Sequence, residues 1–116
     1  MSIQRHDVGP HLSKAVVHGD TVYLAGLTAD KTRGKSVTEQ TREILAMIDG
    51  YLVQCGSDKS KLLRANIWLT DIGTWSKMNA VWDAWLSPGN APARATVEAK
   101  LAAPGVNVEI MVIAAR

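Results

Sequence analysis

Two strand-like runs lie in the last quarter of the chain, APARATVE at positions 91–98 and VNVEIMVI at positions 106–113. Arg94 interrupts the first run and Glu109 interrupts the second. Taking a guanidinium or a carboxylate out of water costs roughly several kcal/mol unless a partner or ligand compensates it. The two charges therefore mark either an ion pair or a binding site. Because arginine donates two parallel hydrogen bonds to a carboxylate or phosphate, a binding site here would take an anion.

A hairpin is predicted near the N-terminus. Positions 16–18 and 21–25 are rich in β-branched and aromatic residues, which favour strands. Between them, Gly19 and Asp20 form a two-residue turn of the kind that tolerates positive φ. The two runs are therefore predicted to pair as antiparallel neighbours in a sheet.

The hydrophobic periodicity changes after position 36. Apolar residues then recur at spacings of three and four, which indicates a helix with one buried face. Ser36 and Glu39 form a capping box before this pattern, and Gly56 follows it, as is typical of a helix end. The pattern predicts an amphipathic helix over positions 37–55.

A strand and a second helix are predicted in the middle of the chain. Positions 61–70 alternate, and the apolar residues expected on the buried face are Leu63, Ala65, Ile67 and Leu69. The following helix has one apolar stripe, made of Trp75, Met78, Trp82, Trp85 and Leu86, and ends at Pro88-Gly89. The order strand, strand, helix, strand, helix, strand, strand predicts an α+β fold, a sheet with both helices on one face.

Composition narrows the class of protein. The chain has 116 residues, of which 47% are hydrophobic and 21% charged, and its net charge is +2. These values predict a single globular domain over residues 1–116 and no strong attraction to nucleic acid or membranes. A domain of this size has room for one core but little for an enclosed ligand cavity. A site between subunits would not need an enclosed cavity within one chain.

The sequence predicts a cytoplasmic protein without a metal site. Its one cysteine, Cys55, cannot form a disulfide within the chain, and residues 1–7 lack the apolar core of a secretion signal. No apolar run approaches the roughly 20 residues that span a bilayer. The histidines, His6, His11 and His18, have neither helical i, i+4 spacing nor cysteine companions, so we expect no metal ligands among them.

Several short motifs resemble one known family, RidA, also called YjgF/YER057c/UK114. Residues 92–98 together with 108–110 match its C-terminal signature. The further matches are Gly9-Pro10, residues 13–15, 22–26, 40–41 and 69–71, and Asn79. The resemblance covers nearly the whole chain. It implies a chorismate-mutase-like fold that assembles as a homotrimer, with clefts between neighbouring subunits.

The resemblance also implies roles for the two charges. Arg94 matches the family position that binds the substrate carboxylate, and Glu109 matches a glutamate proposed to hold or activate the attacking water. A desolvated carboxylate with a raised pKa suits that task. The residues alone leave a second interpretation open. If the last two strands form a simple hairpin, Glu109 lies near Arg94 and the two neutralise each other as a structural ion pair.

Three further residues are candidates for substrate binding. Gly26 at a strand end permits close backbone approach by a neighbouring strand or by a ligand, whose carboxylate its N–H could bind. Asn79 places an amide on the apolar stripe of the second helix, where it needs hydrogen-bond partners. Thr96 faces the same side as Arg94. The resemblance places Asn79 at the rim of the ligand cleft and Thr96 at a position that holds cysteine or threonine.

Two positions depart from the family pattern. The tyrosine that follows Gly-Pro in the family aligns with His11 or Leu12, depending on the register, and the serine before the strand-end glycine is replaced by Ala25. One side-chain hydrogen bond to substrate is therefore absent. These departures leave Arg94 in place and bear on substrate range and rate.

The resemblance implies two functions from different classes. The first is an enzyme that hydrolyses short 2-imino acids, or their enamine tautomers, to 2-keto acids and ammonia, with no cofactor. The second is a non-catalytic trimer that senses small carboxylates through Arg94. Ribonuclease activity has also been attached to members of the family, but the basic segment 31–35 has no interleaved aromatic residues and does not favour it.

Overall fold

The computed structural model describes residues 1–116 and contains one six-stranded sheet and two helices. The strands are β1 (Ile3–Val8), β2 (Ser13–His18), β3 (Thr21–Leu24), β4 (Leu62–Leu69), β5 (Ala93–Glu98) and β6 (Val108–Ala115), and the helices are α1 (Val37–Gln54) and α2 (Trp75–Trp85). The strand order is β1-β2-β3-β6-β4-β5, in which only β4 and β5 are parallel neighbours. The predicted α+β fold is confirmed, and its sheet is mixed.

The core lies between the helices and one face of the sheet. It contains 22 buried residues, drawn from both helices, from the inner strands and from the connecting segments, and none from the edge strands β1 and β5. Neither helix is long and apolar enough to cross a membrane. The other face of the sheet, which we call the open face, carries Tyr23, Trp68, Val97 and Glu109 and is covered by no element of this chain.

The predicted hairpin is confirmed as β2 and β3. His18 pairs with Thr21 across the turn, and Gly19 has a φ of 62°, which glycine adopts without steric cost. Strand β3 then ends at Leu24, two residues before Gly26. The hairpin therefore sets where the glycine of the candidate site lies.

Strand β1 is an edge strand that the sequence pattern does not reveal. All but one of its side chains are exposed, so IQRHDV shows no apolar alternation. Two contacts attach it to α1: the Tyr51 hydroxyl donates to Asp7 at 2.6 Å, and Gln54 Nε2 lies 3.1 Å from His6 Nδ1. The bond to the Asp7 carboxylate, together with burial, raises the pKa of Tyr51 to about 12.

Helix α1 begins at the predicted residue and ends one residue earlier than predicted. The Ser36 hydroxyl accepts a hydrogen bond from the Glu39 amide at 3.1 Å, which satisfies a free N–H of the first turn. The helix ends at Gln54, and Gly56 just beyond it has a φ of 79°. Capping residues therefore located this helix correctly from the sequence.

Glu43 on α1 fixes the loop that follows the first hairpin. Its carboxylate accepts hydrogen bonds from the amides of Asp30, Lys31 and Thr32 and from the Thr32 hydroxyl, at 2.7–3.1 Å. Burial opposes ionisation, but these bonds outweigh it and lower the pKa of Glu43 to about 2. The segment after Gly26 is thus anchored at its far end.

Gln40 fixes the segment that leads into β6. Its side chain is fully buried, and Nε2 donates to the carbonyls of Lys35 and Gly105 at 3.0 and 2.9 Å. Its Oε1 accepts from the Asn107 amide at 3.0 Å. A buried amide with all these partners is stabilising, and it holds the chain two residues before Glu109.

The prediction that Leu63 is buried in the middle strand is wrong. Leu63 is 51% exposed, whereas Leu62 is 7% exposed and belongs to the core. The register between β4 and β6 shifts between Leu62 and Arg64, as at a β-bulge. The bulge interrupts the alternation at the start of β4. From Ala65 onward, the side chains lie on the predicted faces of the sheet.

The apolar stripe of α2 is only partly core. Met78 and Trp82 are buried and Trp85 and Leu86 pack against the core, but Trp75 is 42% exposed. The helix also ends at Trp85, before Pro88-Gly89. Trp75 is its first residue and lies at the edge of the sheet, so it has no core to pack into. Trp75 therefore belongs to the predicted apolar stripe but not to the core.

The last two strands do not form a hairpin. Strand β4 lies between them, parallel to β5 and antiparallel to β6. A parallel pair needs a crossover connection, and the segment containing α2 supplies it between β4 and β5. Strand β5 is the edge of the sheet, a position that tolerates Pro92 directly before it.

Candidate active site

Arg94 is a partly buried cation without a carboxylate partner. It pairs with the buried Ala65 on β4, so its side chain lies on the helix side of the sheet. Its Nη1 donates to Asn79 Oδ1 at 2.7 Å, and its Cζ is 5.5 Å from the ring centre of Trp82 and 5.9 Å from that of Trp75. The Asn79 bond is the only side-chain hydrogen bond it makes in this chain, so its other N–H groups remain available to a ligand.

Asn79 connects Arg94 to the surface of α2. Its Oδ1 accepts from Arg94, and its Nδ2 donates to Asp83 Oδ2, one helical turn further on, at 3.3 Å. The polar residue on the apolar stripe therefore has the partners that its position requires. The roles of Asp83 and Trp75 were not predicted. Asp83 acts through Asn79 on the same helix, and only the tertiary fold brings Trp75 close to Arg94.

Thr96 lies on the same face as Arg94, as predicted from strand alternation, and pairs with Ile67. Its Oγ1 is buried and makes no hydrogen bond. Thr96 therefore lies beside Arg94 but presents no exposed hydroxyl oxygen. We name Arg94, Asn79 and Thr96 the arginine half-site.

Glu109 lies on the open face, where it pairs with Trp68 of β4. Its neighbours along the strand, Val108 and Ile110, are fully buried on the helix side, so the predicted orientation of Glu109 is confirmed. Its carboxylate accepts no hydrogen bond within the chain, and burial raises its pKa above the usual range. A carboxylate of this kind holds a proton more readily than one in water.

Gly26 lies directly against this carboxylate. Leu27 exchanges backbone hydrogen bonds with Ile110 at 2.8 and 3.1 Å, which brings the end of the first hairpin beside β6. A Cβ added at Gly26 would lie 2.1 Å from Glu109 Oε2. Only glycine therefore leaves room for the carboxylate in its observed position, as the close-approach interpretation predicted. We name Gly26 and Glu109 the glutamate half-site.

The two half-sites lie apart within one chain. Arg94 pairs with Ala65 and Glu109 pairs with Trp68, three residues further along β4. Because side chains alternate along a strand, an odd separation places Arg94 and Glu109 on opposite faces of the sheet. The chain contains one ion pair, between Arg33 and Asp30. The alternative of a structural ion pair between Arg94 and Glu109 is therefore contradicted.

The histidines, the cysteine and the surface cavities lie outside both half-sites. His11 and His18 are exposed, and no group of three or more His, Cys, Asp and Glu side chains is placed to hold a metal ion. Cys55 is buried, and burial raises the pKa of its thiol. Two surface cavities, of about 410 Å³ around Lys100–Asn107 and about 380 Å³ near Arg116, include no residue of either half-site.

Comparison with known proteins identifies the relatives of this chain. A RutC family protein from Haemophilus influenzae is 42% identical over 114 residues, with 98% of each chain covered. The RutC family protein YoaB from Escherichia coli is 41% identical over 115 residues, with 99% of each covered. Both relatives match this chain from end to end.

Solved structures give the same result. A member of the YjgF protein family from Neisseria meningitidis is 42% identical, with a TM-score of 0.96 and coverage of 100% of this chain and 96% of that one. A member of the YjgF/YER057c/UK114 family from Mycobacterium tuberculosis is 30% identical, with a TM-score of 0.89 and coverage of 99% and 100%. A family profile described as Endoribonuclease L-PSP matches residues 3–116. The chain therefore belongs to the YjgF/YER057c/UK114 family, the RidA family that its motifs resemble.

Proposed function

We propose that this protein hydrolyses short 2-imino acids, or their enamine tautomers, to 2-keto acids and ammonia. The observation that carries the proposal concerns Arg94, which is partly buried, has two indole rings within cation–π distance and has no anionic partner in its own chain. A guanidinium held in this way is positioned to bind a small carboxylate. Both imino and keto acids of this class carry one.

Arg94 and Asn79 would fix the orientation of the substrate. The bond from Nη1 to Asn79 Oδ1 and the flanking rings of Trp75 and Trp82 restrict rotation of the guanidinium. Its remaining N–H groups would bind the substrate carboxylate in two parallel hydrogen bonds. Holding the carboxylate also fixes the position of the adjacent C=N carbon, which is the atom that water attacks.

Glu109 would act as the general base and acid. Its carboxylate takes a proton from water as the oxygen attacks the carbon of the protonated imine, which gives a tetrahedral carbinolamine. The protonated Glu109 then returns this proton to the amino nitrogen. The C–N bond breaks as the hydroxyl loses its proton to Glu109, which forms the keto acid and ammonia. Glu109 then gives this proton to the ammonia, which leaves as ammonium and restores the carboxylate. A carboxylate with a raised pKa is suited to both transfers.

The two half-sites would form one site between copies of the chain. Arg94 and Glu109 face opposite sides of the sheet, so one chain cannot bring both to a single small substrate. Tyr23 and Val97 on the open face are 44% and 49% exposed, which suits a face that packs against another copy. We propose the homotrimer implied by the family, with the arginine half-site of one subunit facing the glutamate half-site of its neighbour.

The alternative is a trimer that binds small carboxylates without catalysis. It is favoured by Ala25, His11 and Leu12, which replace hydroxyl-bearing residues of the family pattern. Both functions need Arg94, and only hydrolysis needs Glu109. The two proposals therefore differ in whether an imine is consumed.

The proposed hydrolysis is tested by generating an imino acid in place with an amino-acid oxidase and measuring keto acid and ammonia. We expect their release to accelerate in proportion to the protein added. Pyruvate binding without any acceleration would favour the sensing function instead. The oxidase without the protein, and with heat-denatured protein, gives the background rate.

Gly26→Ala is expected to lower turnover by roughly ten- to a hundred-fold. This loss is a part of the rate acceleration that a general base provides. The new Cβ would lie 2.1 Å from Glu109 Oε2, so the carboxylate must move away. Because the carboxylate is the free end of a flexible side chain, the fold should persist and the melting temperature should change little.

Gly50→Ala is the matched control. Gly50 lies in α1, and a Cβ there meets nothing within 4 Å. This variant should keep full turnover and gain about 0.5–1 kcal/mol of stability. Equal turnover of Gly26→Ala and Gly50→Ala would show that the position of Glu109 does not matter to the reaction.

A further inference from the structure

Trp75 is the exposed one of the two indoles that flank Arg94. Trp82 is 3% exposed and belongs to the core, whereas Trp75 is 42% exposed. Its ring centre nevertheless lies only 5.9 Å from Arg94 Cζ, nearly as close as that of Trp82. Trp82 therefore lies beside the guanidinium as part of the core, and Trp75 gives the arginine half-site an exposed aromatic surface.

The turn before α2 holds Trp75 in place. Residues Ile72–Thr74 form a short 3₁₀ turn, in which Asp71 accepts from the Gly73 amide at 2.8 Å. On β5, Glu98 Oε1 accepts from the Ile72 amide at 3.0 Å. These bonds connect the start of α2 to the strand that carries Arg94. They fix the backbone from which the Trp75 side chain projects beside Arg94.

We propose that Trp75 determines substrate specificity by binding the side chain of the carboxylate ligand, so that the site extends beyond the short acids named above and binds 2-imino and 2-keto acids with an aromatic or large apolar side chain more tightly than those with a methyl group. This inference rests on the proposed function of Arg94. A carboxylate on the free N–H groups of Arg94 places its carbon substituent within reach of the indole. Contact between flat apolar surfaces is favourable there, whereas a methyl group would touch little of the ring.

Calorimetric titration with pyruvate and phenylpyruvate tests the proposal. We expect the wild-type protein to bind phenylpyruvate roughly tenfold more tightly than pyruvate. Trp75→Ala should remove most of this preference, and Trp75→Phe should retain most of it because a flat ring remains. Val53→Ala, which truncates an exposed apolar residue on α1, should keep the wild-type ratio.

The outcomes separate this inference from the proposed function. If both acids bind the wild-type protein with equal affinity, or if Trp75→Ala weakens both to the same extent, the role of Trp75 is wrong and the carboxylate site stands. If neither acid binds, both proposals fail. Thermal melts of each variant show that folding is retained, as expected for an exposed side chain.

Discussion

Arg94→Ala is expected to abolish measurable binding of pyruvate or 2-oxobutyrate. A charge-assisted contact contributes roughly 1.5–3 kcal/mol, or on the order of ten- to a hundred-fold in affinity, and bidentate geometry favours the upper end. Arg94→Lys keeps the charge but replaces a planar pair of donors with a point charge, so it should also weaken binding markedly. Calorimetric titration measures both losses.

The stability of the same variants distinguishes a binding residue from a structural one. Arg94 forms no ion pair within its own chain, so its removal leaves no carboxylate of that chain uncompensated. The melting temperature of Arg94→Ala should therefore fall little. Arg42→Ala, which removes an exposed arginine from α1, is the control and should keep wild-type affinity. A destabilised Arg94→Ala protein with unchanged carboxylate affinity would refute the binding role.

Glu109→Gln is expected to lower turnover by about a hundred- to ten-thousand-fold while pyruvate affinity changes far less. The amide keeps the shape of the carboxylate but cannot accept a proton. General base catalysis commonly raises a rate by a factor of this size. Single-turnover measurements with imine generated in place, beside calorimetric titration, separate the two effects. A loss of affinity as large as the loss of turnover would contradict a role confined to proton transfer.

The pH dependence follows from the raised pKa of Glu109. Turnover should rise with pH through this pKa, where the base form appears, and level off above it. Glu109→Gln should lack that rise. Because folding raises the pKa, the folded chain binds this proton more tightly than the unfolded chain, so the ionised group destabilises the fold above its pKa. Glu109→Gln should therefore melt no lower than the wild-type protein at neutral pH.

Local signals in the sequence located the elements that hold the site. Gly19-Asp20 located the first hairpin, and Ser36, Glu39 and Gly56 located α1. Each is a turn or a helix cap, which depends on interactions between residues only a few positions apart. Alternation along the last strand likewise gave the direction of Glu109 correctly.

Relations between distant segments could not be predicted in the same way. Periodicity does not say that β4 separates β5 from β6, and the ion-pair alternative depended on a hairpin that does not form. Strand β1 carries no apolar pattern because its side chains are exposed at an edge. Trp75 has the spacing of a core residue, and only the packing of α2 at the edge of the sheet leaves it exposed beside Arg94.

The central claim is that one active site combines Arg94 of one subunit with Glu109 of another. It is tested most directly by mixing inactive Arg94→Ala and Glu109→Gln subunits in equal amounts, refolding them together and measuring ammonia release from imine generated in place. Random assembly should pair an intact Arg94 with an intact Glu109 in about a quarter of the sites and restore about that fraction of wild-type activity. Native mass spectrometry should find trimers containing both variants. Mixed trimers with no restored activity would contradict the account.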